Sequence, residues 1–262
     1  MRAISVHEDV IVVESRIWRT TATVVRSGGE AFVIDSPVLP DELDMLPALL
    51  EQAGFPFSGL LSTHGDWDHL LGRLAFPGAA LGVAETTAAR LRAHPGEAQR
   101  ALRAFDESHY LSRPAPLALG SVEALPVPGY CGLGDGELEL HPADGHTADG
   151  MAIWIPWAKV LVCGDYLSPV EIPTPEASIE GYLATLARLE QLVDAAELVV
   201  PGHGTPIDSS AAKALLREDR DYLEALREGS APDGTLPTGR RDAEQRRLHA
   251  ANVAHLSEAG AP

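Results

Sequence analysis

A chain of 262 residues, 45% hydrophobic and 22% charged, can bury a sizeable core as one large domain or two small ones. Its formal charge of −18 repels phosphate backbones and anionic lipid, which argues against nucleic acid and membrane surfaces as partners. Two cysteines, Cys131 and Cys163, make no disulfide framework, so any metal ligands must come from His and Asp.

The N-terminus, MRAISVHEDVIVVES, carries acidic residues inside its apolar stretch and no small-residue cleavage site. It does not read as a signal peptide, and no apolar run reaches the roughly 18 residues of a membrane span, so the expected compartment is the cytosol. Residues 9–15 and 21–27 are β-branched runs; Gly28 and Gly29 form a hairpin turn, and residues 31–36 return as a strand. Residues 40–54 predict a helix with an acidic first turn and Gly54 as its stop, although Pro47 interrupts the middle. A short buried strand over 58–64 follows.

Residues 84–107 are Ala/Arg-rich and helical, and the Pro/Gly-rich segment 108–136 reads as a lid or crossover. Alternation predicts a strand over 136–144, and 150–165 reads as strand, turn, strand. A helix over 177–194, a strand over 196–202 and a helix over 209–229 complete a first unit, residues 1–229. Residues 230–262 hold a polar linker to about 241 and a helix over 242–257, expected to pack on the body or on a second copy in a homo-oligomer. The β-then-helix pattern occurs twice, which fits one layered α/β domain.

The stretch STHGDWDHLLG sits at the end of the 58–64 strand and puts His64, Asp66, Asp68 and His69 within six positions. In an extended loop, alternate side chains face one pocket and their neighbours another, so one loop could serve two adjacent metal ions. Nitrogen and oxygen donors of this kind suit zinc, iron or manganese. Downstream, His146 in GHTADG, Asp165 in VLVCGDYL and His203 in VVPGHGTP each follow an apolar strand beside glycine. Open α/β sheets gather ligand sites at that position.

Taken in order, from VIDS at 33–36 to PGHG at 201–204, these pieces resemble the metallo-β-lactamase fold hydrolases, in a glyoxalase II-like branch. The resemblance implies a four-layer αβ/βα sandwich with the metals at one edge. It implies a first ion on His64, Asp66 and His146, and a second on Asp68, His69 and His203. Asp165 would bridge the two, and Asp68 and Asp165 would be the catalytic carboxylates. Asp35 would brace the metal loop from behind.

A hydroxide shared by two divalent ions, zinc first and iron or manganese as alternatives, would attack a small-molecule ester, thioester or lactone. A phosphoester is the alternative bond, and a catalytically degenerate metal-binding protein the alternative class. The retained Asp165 argues against antibiotic hydrolysis. Only Arg240, Arg241, Arg246 and Arg247 are available near the C-terminus for a glutathione-type substrate, without a clear motif.

Position 66 departs from the family's His-x-His-x-Asp-His. Three carboxylates with one hydroxide would neutralise two divalent ions, whereas a histidine at 66 would leave one positive charge over. The expectation is a bound water less readily deprotonated than in a histidine-containing site. Trp67 reads as either a pocket wall or a loop anchor, Cys163 as a core thiol, and His109, Tyr110 and Tyr166 as residues outside the chemistry.

Overall fold

A computed structural model describes residues 1–229 and 236–259, the last three as backbone only. The first sheet contains β1 (Arg2–His7), β2 (Val10–Glu14), β3 (Thr21–Ser27), β4 (Glu30–Asp35), β5 (Phe57–Ser62), β6 (Leu81–Ala84) and β7 (Glu123–Leu125), side by side in that order. β1 to β4 are antiparallel; β4 to β7 are parallel. The second sheet contains β8 (Gly129–Leu133), β9 (Gly136–Pro142), β10 (Met151–Ile155), β11 (Val160–Val162), β12 (Leu198–Val200) and β13 (Ile207–Asp208). Only β11 and β12 pair in parallel there.

Strand alternation builds the layers. In β10, Met151, Ile153 and Ile155 face Val10, Val12, Val25 and Ile34 of the first sheet. Ala152 and Trp154 face the other way, onto α5 (Ile179–Ala195) and α6 (Ser209–Arg227). In the first sheet, Ala22, Val24, Val33 and Leu60 turn outward onto α1 (Pro40–Ala53), α2 (Gly72–Ala75), α3 (Glu85–Ala93) and α4 (Glu97–Ser108). Helix, sheet, sheet, helix is the expected four-layer sandwich.

Several boundaries differ from expectation for identifiable reasons. α1 runs through Pro47 without a break. The expected 84–107 helix is two helices, because His94-Pro95-Gly96 ends the first and Gly96 sits at φ 79°. β6 is only four residues long and buried on both faces, so it carries no alternation to read. The 108–136 segment supplies β7 to the edge of one sheet and β8 to the edge of the other, so it crosses between them. Of the 230–241 linker, residues 230–235 lie outside the described residues.

The last helix, α7 (Ala243–Ala259), docks on the same body. Gln245 Oε1 accepts from Ile172 N at 2.8 Å, and Asn252 Nδ2 donates to Pro173 O at 2.8 Å. Just before it, Arg240 is 1% exposed and lies 2.6 Å from Asp219, also 1% exposed. Burial pushes the Asp219 carboxyl up to about 6, against the pull of Arg240. Arg240→Met would strand that carboxylate and free the carbonyls of Ser168 and Glu171. The expected loss of stability is about 3–5 kcal/mol, read by urea denaturation. A loss under about 1 kcal/mol would show that the pair does not hold the C-terminal helix in place. Among the described residues, no helix is long and apolar enough to cross a membrane.

Candidate metal centre

The two sheets are stitched together at one edge by backbone hydrogen bonds between loops. Thr21 N donates to Gly202 O at 2.7 Å, Gly202 N to Gly164 O at 2.6 Å, and Met151 N to Thr63 O at 2.7 Å. Five strand ends meet here: the last residue of β4 and the loops after β5, β9, β11 and β12. They carry Asp35, the His64–His69 segment, His146, Asp165 and His203 respectively.

Asp35 ends β4 in the left-handed region, φ 59°, which a short polar side chain tolerates. Its carboxylate accepts from Thr63 N at 2.8 Å and Thr63 Oγ1 at 2.9 Å, and lies 3.1 Å from His69 Nδ1. It thereby fixes both ends of the loop. One turn of 3₁₀ helix, Trp67–His69, brings Asp68 and His69 inward. Gly202 has no room for a side chain: a Cβ there would overlap Asp165 Oδ1 and press on the His69 ring.

All seven residues expected at the site converge. His64, Asp66 and His146 form one group whose donor atoms lie within 4.8 Å of one another; Asp68, His69 and His203 form a second. Asp66 Oδ2 is 3.5 Å from His64 Nε2 and 3.4 Å from His146 Nε2. Asp68 Oδ2 is 3.7 Å from His69 Nε2 and 3.5 Å from His203 Nε2. Asp165 sits between the groups, 3.7 Å from His64, 3.2 Å from His69, 3.4 Å from His146 and 3.4 Å from His203.

The histidines are oriented alike. Three Nδ1 atoms hydrogen-bond to a protein oxygen, Thr63 Oγ1 at 3.1 Å for His64, Thr174 O at 3.0 Å for His146 and Trp18 O at 3.2 Å for His203, while His69 Nδ1 lies 3.1 Å from the Asp35 carboxylate without hydrogen-bond geometry. Each Nε2 therefore points into the shared space. Those of His64, His69 and His146, with Asp165 Oδ1, are buried and make no hydrogen bond. Buried polar atoms are normally paired, and an outer partner on one ring nitrogen is how proteins aim the other at a cation. The donor set fits two divalent ions.

The imidazoles and carboxylates shift one another's protonation. Burial lowers the His146 imidazole, but the neighbouring carboxylates of Asp66 and Asp165 outweigh that and push it up to about 9. His203 is likewise lowered by burial but raised by Asp165 and Glu171, to about 10. Burial works to raise Asp165, yet the surrounding histidines hold it well below the usual carboxylate range. Asp66 is depressed in the same way by His146 and His64, against its own burial.

The structure also brings in residues the motif did not reveal. Arg90 of α3 lies 2.8 Å from Asp66 Oδ1 and 2.8 Å from Asp149 Oδ1. In the sequence it is one of many arginines in an Ala/Arg-rich helix, and only its spacing from β6 could have flagged it. Glu171 approaches His203 Nδ1 at 3.8 Å. Burial pushes its carboxyl up to about 7, with His203 pulling the other way.

Trp67 is half-buried against Trp18 and Phe105, which anchors its loop. Cys163 is fully buried, its Sγ 3.1 Å from Tyr166 O. Tyr166 Oη accepts from His146 N at 3.0 Å and so supports the backbone of a site residue. Tyr110 is 96% exposed, and His109 packs on Phe105.

A model of the metallo-beta-lactamase superfamily matches residues 16–203. The chain belongs to that superfamily and, as its members are, is a metal-dependent hydrolase. The match does not distinguish a glyoxalase II-like branch. A metallo-beta-lactamase type 2 of Pseudomonas aeruginosa is 23% identical over 211 residues, 80% of this chain and 77% of that one.

Among solved structures, a metallo-beta-lactamase family protein of Thermus thermophilus superposes with a TM-score of 0.67 at 21% identity, covering 96% of this chain and 93% of that one. The DIM-1 metallo-beta-lactamase gives 0.60 at 21%, covering 86% and 96%. A stereoselective inverting sec-alkylsulfatase of Pseudomonas sp. gives 0.65 at 15%, covering 87% and 42%. At these identities the solved structures speak for the fold alone.

Proposed function

We propose that the chain is a dinuclear hydrolase that cleaves a small-molecule ester, thioester or lactone. The carrying observation is the convergence of unpartnered His Nε2 atoms and Asp165 on one buried space. His64, Asp66 and His146 would hold the first ion, Asp68, His69 and His203 the second, with Asp165 between them. Two divalent ions, zinc first and iron or manganese as alternatives, supply Lewis-acid polarisation and a water of lowered pKa when bound.

The protein's own residues set the stage for that chemistry. Asp35, Thr63, Thr174 and the Trp18 carbonyl fix the ring orientations, and the missing side chain of Gly202 leaves Asp165 its place. A cavity of about 570 Å³ opens beside the His146 loop, lined by Ala89, Arg90, Ala93, Thr147, Asp149 and Glu176. The chain's formal charge of −18 favours an uncharged acyl group over a phosphodiester. The proposal sets the enzyme in the cytosol.

Elemental analysis after metal-supplemented expression is expected to find about two ions per chain. A panel of aryl esters, lactones, thioesters and phosphodiesters is expected to show turnover among the first three. Absence of metal, or bound metal with every compound inert, would sink this reading; turnover of phosphodiesters alone would replace its substrate class.

A further inference from the structure

Asp66 is the residue that departs from the family motif, and its two oxygens are used differently. Oδ2 faces His64 Nε2 and His146 Nε2. Oδ1 faces away from them, onto Arg90 Nη2 at 2.8 Å. The other arm of the guanidinium, Nη1, binds Asp149 Oδ1 at 2.8 Å. Asp149 is itself anchored through Oδ2, which accepts from Gly65 N at 2.9 Å and Thr87 Oγ1 at 2.7 Å. Gly65 precedes Asp66, so the same carboxylate that aims Arg90 also fixes the backbone carrying Asp66.

We infer that Arg90 is a positioning residue that turns Asp66 into a one-oxygen ligand, standing where an imidazole stands in the usual motif. The inference rests on the two-ion reading above. A carboxylate free to rotate could offer either oxygen or both; a planar, permanently charged guanidinium on Oδ1 leaves only Oδ2 for the ion. It also places a positive charge beside Asp66, while Asp149 on its other arm carries a negative one; the pair adds no net charge, and what Arg90 supplies is the choice of oxygen.

The test is a double-mutant cycle on metal affinity. Metal-free wild type, Arg90→Met, Asp66→His and the double variant are titrated with Zn²⁺ against a chromophoric chelator, with cooperative melting checked for each. Wild type is expected to bind two ions. Arg90→Met should weaken one of them about 10–100-fold and leave the other unchanged, as for loss of other outer partners of ligands. In the Asp66→His background, removing Arg90 should leave the affinity unchanged or tighten it, because the guanidinium there only repels the ion.

Arg90→Lys, which keeps the charge, should recover part of the loss. If Arg90→Met does not melt cooperatively, Arg90→Gln is used and the same selective loss is expected. Equal losses in both backgrounds would make Arg90 a strut between α3 and the 146–150 loop and overturn the inference. So would an undiminished Arg90→Met in a protein whose wild type binds two ions. A wild type that binds none removes the two-ion reading first, and this inference with it.

Discussion

Asp165→Ala is expected to lose at least one equivalent of metal and more than about 100-fold in kcat/KM. The size follows from position. Asp165 is within 3.7 Å of the Nε2 atoms of all four site histidines, with Oδ1 turned to His69 and Oδ2 to the other three. Losing only an outer partner of a ligand costs about 10–100-fold in affinity or activity, so losing a shared ligand should exceed that range. A factor of about 100 corresponds to roughly 2.7 kcal/mol at the transition state.

The same change leaves four imidazoles facing one another without the carboxylate between them. Asp165→Asn separates shape from charge: it fills the space above Gly202 but carries no negative charge. It should resemble Asp165→Ala in metal content while melting closer to wild type. Metal per chain by elemental analysis, with initial rates on whichever ester or lactone is turned over, reads both. Retention of two ions and rates within about threefold of wild type would mean that Asp165 is not shared between them.

How much of this centre could be read in the sequence depended on what each residue is attached to. His64, Asp66, Asp68 and His69 lie within six positions, and His146, Asp165 and His203 each follow a strand beside glycine, so their convergence needed only the order of strands. The layers were legible from the β-then-helix pattern that occurs twice; in the folded chain the two faces of β3 and β10 meet two different cores. Arg90 was not legible, because a helix of alanines and arginines offers no periodic cue to which guanidinium turns inward. Its partner Asp149 is 84 positions from Gly65, and that distance closes only in the folded chain. β6 and β7, at four and three residues, are set by pairing with their neighbours rather than by their own pattern.

The pocket wall or loop anchor posed by Trp67 is settled in part by packing. A ring held edge-on to Trp18 at 5.7 Å and tilted on Phe105 at 4.8 Å fixes the turn that carries Asp68. Position 66 changes more. Its carboxylate is one member of a chain of charges running from the site through Arg90 to Asp149, so its effect on the site cannot be counted from the ligands alone.

The exchange between protons and metal gives the last expectation, a loss of stability with rising pH that metal abolishes. In the metal-free protein, His146 at about 9 and His203 at about 10 stand above the roughly 6.5 of an unfolded histidine. A group raised in this way adds stability that is complete below about 6.5 and is lost as pH rises through its folded value. Asp66 and Asp165 are depressed, so their contribution is present above about 3.9 and is lost as pH falls toward their folded values. The metal-free protein should therefore be most stable from about pH 4.5 to 6.5 and weaken steadily toward pH 9.5.

These groups are coupled, so their contributions do not add; a total of about 3–5 kcal/mol over that alkaline range is the right order. For a chain of this size that is a fall in Tm of about 6–20 °C. Metal removes the loss. Ligand rings must be deprotonated to bind, so binding releases protons and strengthens as pH rises. Over this interval the unfolded histidines are also largely neutral, so the strengthening offsets the metal-free loss and the loaded protein should hold its stability. Melting curves from pH 6.5 to 9.5, with and without Zn²⁺ and at constant ionic strength, should diverge, the metal-free curve falling and the loaded curve staying near level. Parallel curves would mean that the histidines do not exchange their protons for an ion.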